Sequence, residues 1–290
     1  MVIKNKYGFN ELEEKPSNDE LGEYYSKKYY QEQKSTYSHM YSSIELKYIK
    51  NKISQKYYAF KDLLVNSSKH SLLDIGCGEG FCMKYFMDMG WDVTGCDYSE
   101  YGIKTHNPAC SNNILVGNIY DKIEALIAKS QKFDVIWLDN VLEHVLDPLG
   151  LLIQCRKLSK ENGILIIEVP NDFSALQRFL YSSNIIHQEF WIAIPDHISY
   201  FNKEGLEKIC SEAGWRSFRI LSDFPIDFNL ANQDANYVTD RTKGKEAHIQ
   251  RILLDNLFSD ISIEKTNRLY EALADLGLGR QIIGIFTSNF

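Results

Sequence analysis

Residues 72–80 have the sequence LLDIGCGEG, in which an apolar segment runs directly into three closely spaced glycines. A short apolar run of this kind is typical of a buried strand, and helical spacing of apolar residues follows it over residues 79–89. Glycine adopts positive φ angles at little steric cost, so a glycine turn between strand and helix lets a ligand approach backbone N–H groups. The spacing Gly76-x-Gly78-x-Gly80 differs from the G-x-G-x-x-G of dinucleotide-binding loops. The segment therefore predicts a ligand-binding loop of a different type.

Short apolar runs alternate with longer amphipathic stretches on the C-terminal side of this loop. Near-continuous apolar runs are typical of strands buried on both faces of a parallel sheet, and βαβ alternation gives a doubly wound α/β fold. The pattern predicts strands over residues 71–75, 91–96, 114–116, 133–138 and 164–169, with helices over 79–89, 98–106, 120–129 and 149–158. A further helix and strand are predicted over 203–213 and 216–221, and a last strand over 281–286.

Polar residues stand at the carboxyl ends of these predicted strands, the edge at which open α/β sheets bind ligands. Asp74 lies two residues ahead of the first glycine, and Asp97 ends the second strand. A carboxylate accepts several hydrogen bonds, so an acid at the position of Asp97 suits both hydroxyls of an adenosine ribose. The third and fourth strands are followed by Asn118, Ile119, Asp139 and Asn140.

The ordered series LLDIGCGEG, GNIY, FDVIWLDNVLEHVLDP and GILIIEVPN resembles the class I S-adenosylmethionine (SAM) dependent methyltransferases. Together with PDHISYFN, it is most similar to a bacterial small-molecule group that includes enzymes of surface-polysaccharide synthesis. The resemblance covers residues 70–222. It implies a Rossmann-like sheet of about seven strands with the last strand antiparallel. One position departs from the pattern, because many relatives have Asp where Asn118 stands.

This resemblance also implies roles for individual residues, with SAM as cofactor and S-adenosylhomocysteine (SAH) as its product. The methionine part of SAM is expected at Asp74, Gly76, Cys77 and Gly78, with its amine near Asp139 and Asn140. The ribose is expected at Asp97 and the adenine beside Tyr98, Asn118 and Ile119.

Methyl transfer to a hydroxyl benefits from a general base, and histidine has a pKa near neutrality. Of the seven histidines, His197 in PDHISYF and His144 in VLEHV are the expected catalytic residues, while His187 is expected to have no catalytic role. Glu143 and His144 could suggest a metal pair, but adjacent residues rarely face one site and the sequence offers no evident third ligand. No metal is predicted.

The segments before and after the SAM-binding core are interpreted as separate structural elements added to that core. Residues 1–69 are expected to form an N-terminal helical lid, with an apolar helical face at Ile49, Ile53, Tyr57, Phe60 and Leu64. Ten of the 18 tyrosines lie in the first 60 residues, and Tyr29, Tyr30 and Tyr37 are expected to contact SAM, because aromatic faces attract cations.

The C-terminal part is expected to hold the residues that recognise the substrate. Residues 70–222 form the core, 223–280 a helical insertion for substrate or homodimer contacts, and 281–290 the final strand of the core sheet. The polar residues expected at the acceptor are Asn171, Asp172, Asn232, Asn236 and Arg241.

Composition narrows the choice of partners and compartment. The 290-residue chain has a formal net charge of −7, which disfavours nucleic acid and acidic membranes as partners. No apolar run reaches the length of about 20 residues that a membrane helix needs. The six cysteines lack metal or disulfide spacing, as expected of a reduced cytoplasmic protein.

The leading hypothesis is methyl transfer to a small polar metabolite, most simply to a hydroxyl of a sugar, activated sugar or phosphorylated decoration in capsule or O-antigen synthesis. Methylation of a quinone or lipid intermediate is the enzymatic alternative. A NAD-dependent oxidoreductase with a Rossmann fold and a non-catalytic subunit are the alternatives from other classes.

Overall fold

The computed structural model describes residues 1–17, 20–21, 40–65 and 67–288 of the chain. Its strands are β1 (Val2–Lys4), β2 (Asn10–Leu12), β3 (Ser71–Ile75), β4 (Asp92–Asp97), β5 (Ile114–Val116), β6 (Phe133–Asp139), β7 (Ser159–Pro170), β8 (Ser199–Tyr200), β9 (Arg216–Ser222) and β10 (Gln281–Thr287). Its α-helices are α1 (Ser43–Phe60), α2 (Phe81–Asp88), α3 (Tyr101–His106), α4 (Ile119–Ala128), α5 (Pro148–Leu158), α6 (Ala175–Ser182), α7 (Lys203–Glu212), α8 (Gly244–Ile261) and α9 (Ile263–Asp275).

Seven strands form the main sheet in the order β5-β4-β3-β6-β7-β10-β9. Strands β3 to β7 pair in parallel, whereas β10 is antiparallel to both β7 and β9. The predicted doubly wound, Rossmann-like sheet with an antiparallel last strand is therefore confirmed. This topology brings the carboxyl ends of β3, β4, β6, β7 and β9 to one edge, where the start of β10 also lies.

Helices cover both faces of the sheet, so neighbouring residues of one strand enter different cores. Leu72 packs with Phe60 of α1 and Phe86 of α2, while Leu73 packs with residues of α4, α5 and α7. Successive side chains of a strand point to opposite faces, and burial on both of them explains the continuous apolar run in the sequence.

Helix α1 buries the predicted apolar face against the core. Ile53 and Phe60 are buried, and Ile49, Tyr57 and Leu64 pack partly buried against the same cluster. Ser42 begins the helix with a capping box, because its side chain accepts from the Glu45 N–H while the Glu45 side chain accepts from the Ser42 N–H. The helix therefore lies over the carboxyl edge of the sheet as part of the core.

Helix α8 lies in the predicted insertion, but its apolar row faces outward. Ile249, Leu253 and Leu257 are exposed, whereas polar residues of the opposite face are buried against α1. The Gln55 side chain donates to Asp255 Oδ1 (3.0 Å) and to Ser259 Oγ (2.8 Å). Interhelical hydrogen bonds thus set the orientation of α8, and the expected homodimer contact at this insertion stays a prediction.

A small second sheet was not predicted. Strands β1 and β2 form an antiparallel pair, and β2 also pairs with β8. Residues 1–12 therefore contain strands where the sequence analysis expected a helical segment. Each of these strands has three residues or fewer, which is too short to show an alternating apolar pattern in the sequence. Their pairing therefore depends on tertiary contacts.

Among the residues that the structure describes, no helix combines the length and the apolar character needed to cross a bilayer.

Candidate active site

The glycine loop connects β3 to α2 and approaches its neighbours too closely for a side chain. Gly76 has φ +72°, and a Cβ atom added there would lie 2.5 Å from Cγ2 of Val141. Gly80 has φ +76°, and its Cβ would lie 2.9 Å from Cγ1 of Ile103. These positions need glycine for both backbone conformation and space, and the loop leaves its surface open to a ligand.

Asp97 at the end of β4 holds the loop from the adjacent strand. Its Oδ2 accepts from the Gly78 N–H (2.9 Å), and its Oδ1 accepts from the Ser99 N–H (3.0 Å). Burial raises the pKa of Asp97, and the backbone hydrogen bonds oppose that shift. Each carboxylate oxygen has a second lone pair, so the fixed carboxylate can still accept hydroxyl hydrogen bonds.

The residues expected around the adenine occupy the same edge. Tyr98 is 41% exposed next to Asp97. The Asn118 side chain accepts from the Tyr120 N–H (2.9 Å) and thereby caps α4, while Ile119 is 6% exposed and packs in the core. Tyr98 therefore offers more surface to a ring than Ile119 does, and Asn118 already has a structural role.

A cavity of about 460 Å³ lies beside the glycine loop at the same edge. Five of the predicted cofactor residues line it, namely Asp74, Gly76, Cys77, Asp139 and Asn140. Helices α1 and α8 form the opposite wall, with Tyr48, Lys52, Lys56, His248 and Arg251. The ends of β7 and β9 add Glu168 and Asp223.

Asp74 lies at the base of this cavity in a buried position. Burial raises the pKa of Asp74 to about 8, assisted by the nearby charges of Asp139 and Asp97, while Lys56 acts in the opposite direction. Within the described part of the chain, Oδ2 of Asp74 has no hydrogen-bond partner. A cationic ligand group placed here would favour the ionised form and satisfy that oxygen.

Lys56 is a site residue that the sequence analysis missed. Its Nζ forms ion pairs with Asp139 Oδ2 (2.5 Å) and with Glu168, and it lies 5.2 Å from the ring centroid of Trp137. Asp139, expected near the methionine amine, is thus already paired with a lysine. The spacing of Lys52 and Lys56 on the same helical face as Ile49 and Ile53 was the available signal.

Asn140 carries a backbone conformation that is uncommon for a residue other than glycine. Its φ is +53°, its N–H donates to the Glu168 carbonyl (2.9 Å), and its side chain donates to Asp139 Oδ1 (3.0 Å). Non-glycine residues with positive φ cluster at functional sites when their surroundings hold them in place. These contacts fix the turn that leads from β6 into the segment containing His144.

The two predicted catalytic histidines lie together, outside the residues that line the cavity. Their ring centroids are 5.1 Å apart. His144 Nδ1 donates to the Asp196 carbonyl (2.6 Å), because a carbonyl only accepts, so the second nitrogen, Nε2, is the acceptor of the ring and lies 3.6 Å from Glu143 Oε1. His197 Nδ1 lies 3.8 Å from Oδ2 of the buried Asp172.

The structure brings a third potential ligand, His197, to Glu143 and His144, although no sign of it was evident in the sequence. One ligand atom each from Glu143, His144 and His197 lie within 4.8 Å of one another, because the loop before β8 brings His197 to the turn after β6. The metal-free mechanism itself stays a prediction.

The structure places the predicted substrate residues away from the cavity, and most have partners within the fold. Asn171 donates to the Gly279 carbonyl (3.1 Å), and Asn236 donates to the Leu230 carbonyl (3.0 Å). Asn232 accepts from the Asp234 N–H (3.0 Å), and Asp172 pairs with Arg280. Arg241 is exposed in a 3-10 turn. Four of these residues thus have contacts within the fold, and the expected contacts of all five with the acceptor stay a prediction. Tyr29, Tyr30 and Tyr37 lie outside the described residues.

Comparisons with known proteins agree with this geometry. Residues 46–218 match a protein family described as "Methyltransferase domain". Two curated relatives are named ubiquinone biosynthesis O-methyltransferase. The one from Dinoroseobacter shibae is 31% identical over 69% of this chain and 84% of its own length. The one from Roseobacter denitrificans is 33% identical over 46% of this chain, and that match spans about half of the relative (54%).

The fold has a counterpart among solved structures. A SAM dependent methyltransferase from Archaeoglobus fulgidus superposes with a TM-score of 0.54 and 23% identity, covering 85% of this chain and 95% of that one. At this identity the likeness concerns the fold.

Proposed function

Because this chain belongs to the family of SAM-dependent methyltransferases, we propose that it transfers a methyl group to a hydroxyl oxygen of a small molecule. The predicted enzyme class and the predicted cofactor, SAM, are confirmed by the family match. The alternative of a NAD-dependent oxidoreductase is not supported, since both the family match and the glycine spacing favour SAM as the ligand.

The residues at the sheet edge fit the cofactor that the family uses. Gly76 leaves a cradle that a Cβ atom would fill, and Asp74 offers a buried oxygen without a partner among the described residues. We infer that Asp97 holds the ribose hydroxyls and that Asp74 faces the methionine amine. When bound, SAM supplies a methyl group already activated by its sulfonium. The remaining task of the protein is to orient the acceptor, exclude water and accept a proton.

For the acceptor, the names of the relatives favour a different class from the sequence interpretation. The relatives are named for ubiquinone biosynthesis, whereas the expected sugar of a capsule or O-antigen pathway has no support among them. We therefore propose that the acceptor is a hydroxylated aromatic ring of the kind found in quinone precursors. Trp137, Phe81 and Ile53 give the cavity the apolar and aromatic surface that such a ring needs.

The histidine pair is proposed to receive the proton that the hydroxyl loses. His144 follows Asp139 at the end of β6 by five residues, and His197 Nδ1 lies 3.8 Å from Asp172, which follows the end of β7, so both rings lie at the carboxyl edge of the sheet. The Asp196 carbonyl fixes the tautomer of His144 with Nε2 able to accept. This arrangement supports a general-base role, and its test is given in the Discussion.

The acceptor class can be tested with labelled SAM and two sets of probes. The protein is incubated with catechol and 3,4-dihydroxybenzoate on one side, and with glucose 1-phosphate and UDP-glucose on the other. We expect label in a methyl ether of the dihydroxybenzenes, identified by mass, and little in the sugars. Transfer to the sugars alone would overturn the acceptor class while leaving the methyltransferase family intact.

A further inference from the structure

Lys52 of α1 and Arg251 of α8 face the cavity from two helices, and we propose that they form an anion-binding subsite for a carboxylate or phosphate carried by the methyl acceptor. This inference rests on the proposed function, since it names the chemistry of the same acceptor. Both residues line the cavity beside Asp223 and His248.

The Lys52 ammonium and the Arg251 guanidinium both have N–H donors that make no hydrogen bond to the described residues. Lys52 Nζ lies 3.5 Å from Asp255 Oδ2 but makes no hydrogen bond within the described ranges. Asp255 Oδ1 already accepts from Gln55 and from the Tyr270 hydroxyl. For Arg251, one terminal nitrogen contacts His248 Nδ1 (2.7 Å), while Nε has no hydrogen-bond partner among the described residues. Buried donors without acceptors are costly, so an anionic ligand here would relieve that cost.

Asp255 is the acid that faces Lys52, as an ion pair at 3.5 Å without a hydrogen bond, whereas three other acids of this region are held by other groups. Asp223 Oδ1 accepts from the N–H groups of Arg280 (2.7 Å) and Gln281 (2.9 Å). Glu168 and Asp139 are paired with Lys56. Asp223, Glu168 and Asp139 therefore have other partners, and the Lys52 and Arg251 donors that make no hydrogen bond among the described residues can serve a ligand.

The position of the pair separates it from the glycine loop. Strands β3, β6, β7, β10 and β9 are consecutive in the sheet. At about 4.8 Å per strand, Asp223 at the end of β9 lies roughly 19 Å from the end of β3. Burial raises the pKa of Asp223, with Lys52 and Arg251 acting against the shift, whereas Lys56 acts on Asp74 beside the loop. The two cations thus lie on the side of the cavity that holds Asp223, and the SAH titration below distinguishes the acceptor from the methionine carboxylate as their ligand.

Aromatic rings hold the two cationic side chains in place. The Arg251 guanidinium lies 5.7 Å from the ring centroid of Tyr48, and Lys52 Nζ lies 5.1 Å from that of Tyr270. Burial raises the pKa of Tyr48 to about 12, so its phenol stays uncharged at neutral pH. Side chains ordered before binding lose less conformational entropy on contact with a ligand.

Calorimetry on the full chain saturated with SAH tests this subsite without requiring turnover. Catechol and 3,4-dihydroxybenzoate differ by one carboxylate, and we expect the benzoate to bind at least about tenfold more tightly. Lys52→Met and Arg251→Gln should each abolish most of that preference and also weaken binding of inorganic phosphate. Lys47→Met on the same helix and Arg268→Gln on α9, both at exposed positions, should preserve both effects. SAH affinity and thermal unfolding report whether each variant is folded.

Three results would overturn the assignment. If neither anion binds, or if binding is equal in wild type and in the Lys52 and Arg251 variants, the subsite does not exist. Loss of SAH affinity in the two variants would assign the cations to the cofactor's carboxylate. Phosphate binding that depends on Arg251 supports the subsite even if neither aromatic probe binds, an outcome that would count against the acceptor class alone. Failure of the proposed function would appear separately, as absence of methyl transfer despite normal SAH binding.

Discussion

Replacement of Lys56 by methionine is expected to lower the free energy of unfolding by about 3–5 kcal/mol, the usual cost of removing one partner from a buried ion pair. The Lys56 ammonium lies between Asp139 and Glu168, and the side chain is almost fully buried. Burial alone would lower the pKa of Lys56, but the two carboxylates outweigh it and raise that pKa. Without the ammonium, the buried Glu168 carboxylate would face the partly exposed Asp139 carboxylate, so the loss is electrostatic as well as steric.

Urea unfolding of the two variants Lys56→Met and Lys47→Met measures this effect. Lys47 pairs with Asp260 at an exposed position of the same helix, and an exposed pair contributes about 0–1 kcal/mol. Burial raises the pKa of Glu168, so protonation at acid pH should remove part of the repulsion, and the Lys56 effect should be smaller at pH 5 than at pH 8. Equal stabilities for Lys56→Met and wild type at pH 8 would show that the cluster is not buried as described.

His197→Ala and His144→Ala are expected to lower kcat by about 10²–10⁴-fold, the range typical of a lost general base. SAM affinity should stay within about twofold of wild type, because Gly76, Asp74 and Asp97 do not contact either ring in the arrangement described. Binding is measured by calorimetry with SAH, and turnover by label transfer to the best acceptor found.

His187→Ala provides the matched control, since His187 is an exposed residue of the same region and its replacement should leave kcat unchanged. Addition of imidazole to the His197 or His144 variant should restore part of the rate if the ring acts chemically. Normal turnover in both variants, or loss of SAH binding together with turnover, would remove the histidine pair from the mechanism.

The core of the fold could be predicted because its signals are local. The segments 71–75 and 114–116 coincide with β3 and β5, since buried parallel strands combine apolar runs with turn residues at their ends. The small sheet of β1, β2 and β8 could not be predicted, because its strands are very short and β2 pairs with β8, a strand far away in the sequence. The outward orientation of the apolar row of α8 could not be predicted either, since hydrogen bonds between Gln55 and residues of α8 determine which face of this helix is buried.

Only part of the candidate site could be predicted from the sequence, because some of its residues come from distant segments of the chain. Asp74, Gly76 and Asp139 belong to a motif with fixed spacing, and the structure brings them to one cavity. Lys56 and Arg251 come from helices far apart in sequence, and only the tertiary fold places them on the same wall. Asn171 and Asn236 were selected for their polarity, but polar side chains in long loops commonly satisfy the loop backbone itself.

A titration of SAM against NAD is the most direct test of the assignment of this site, with Asp97→Ala as the companion variant. Loss of one carboxylate that accepts two hydroxyl hydrogen bonds costs about 1.5–3 kcal/mol, or roughly 10–150-fold in affinity. The wild-type protein is expected to bind SAM and not NAD, and Asp97→Ala to weaken SAM binding by that factor. Equal or tighter binding of NAD, or full SAM affinity in Asp97→Ala, would contradict the assignment of this edge as a SAM site.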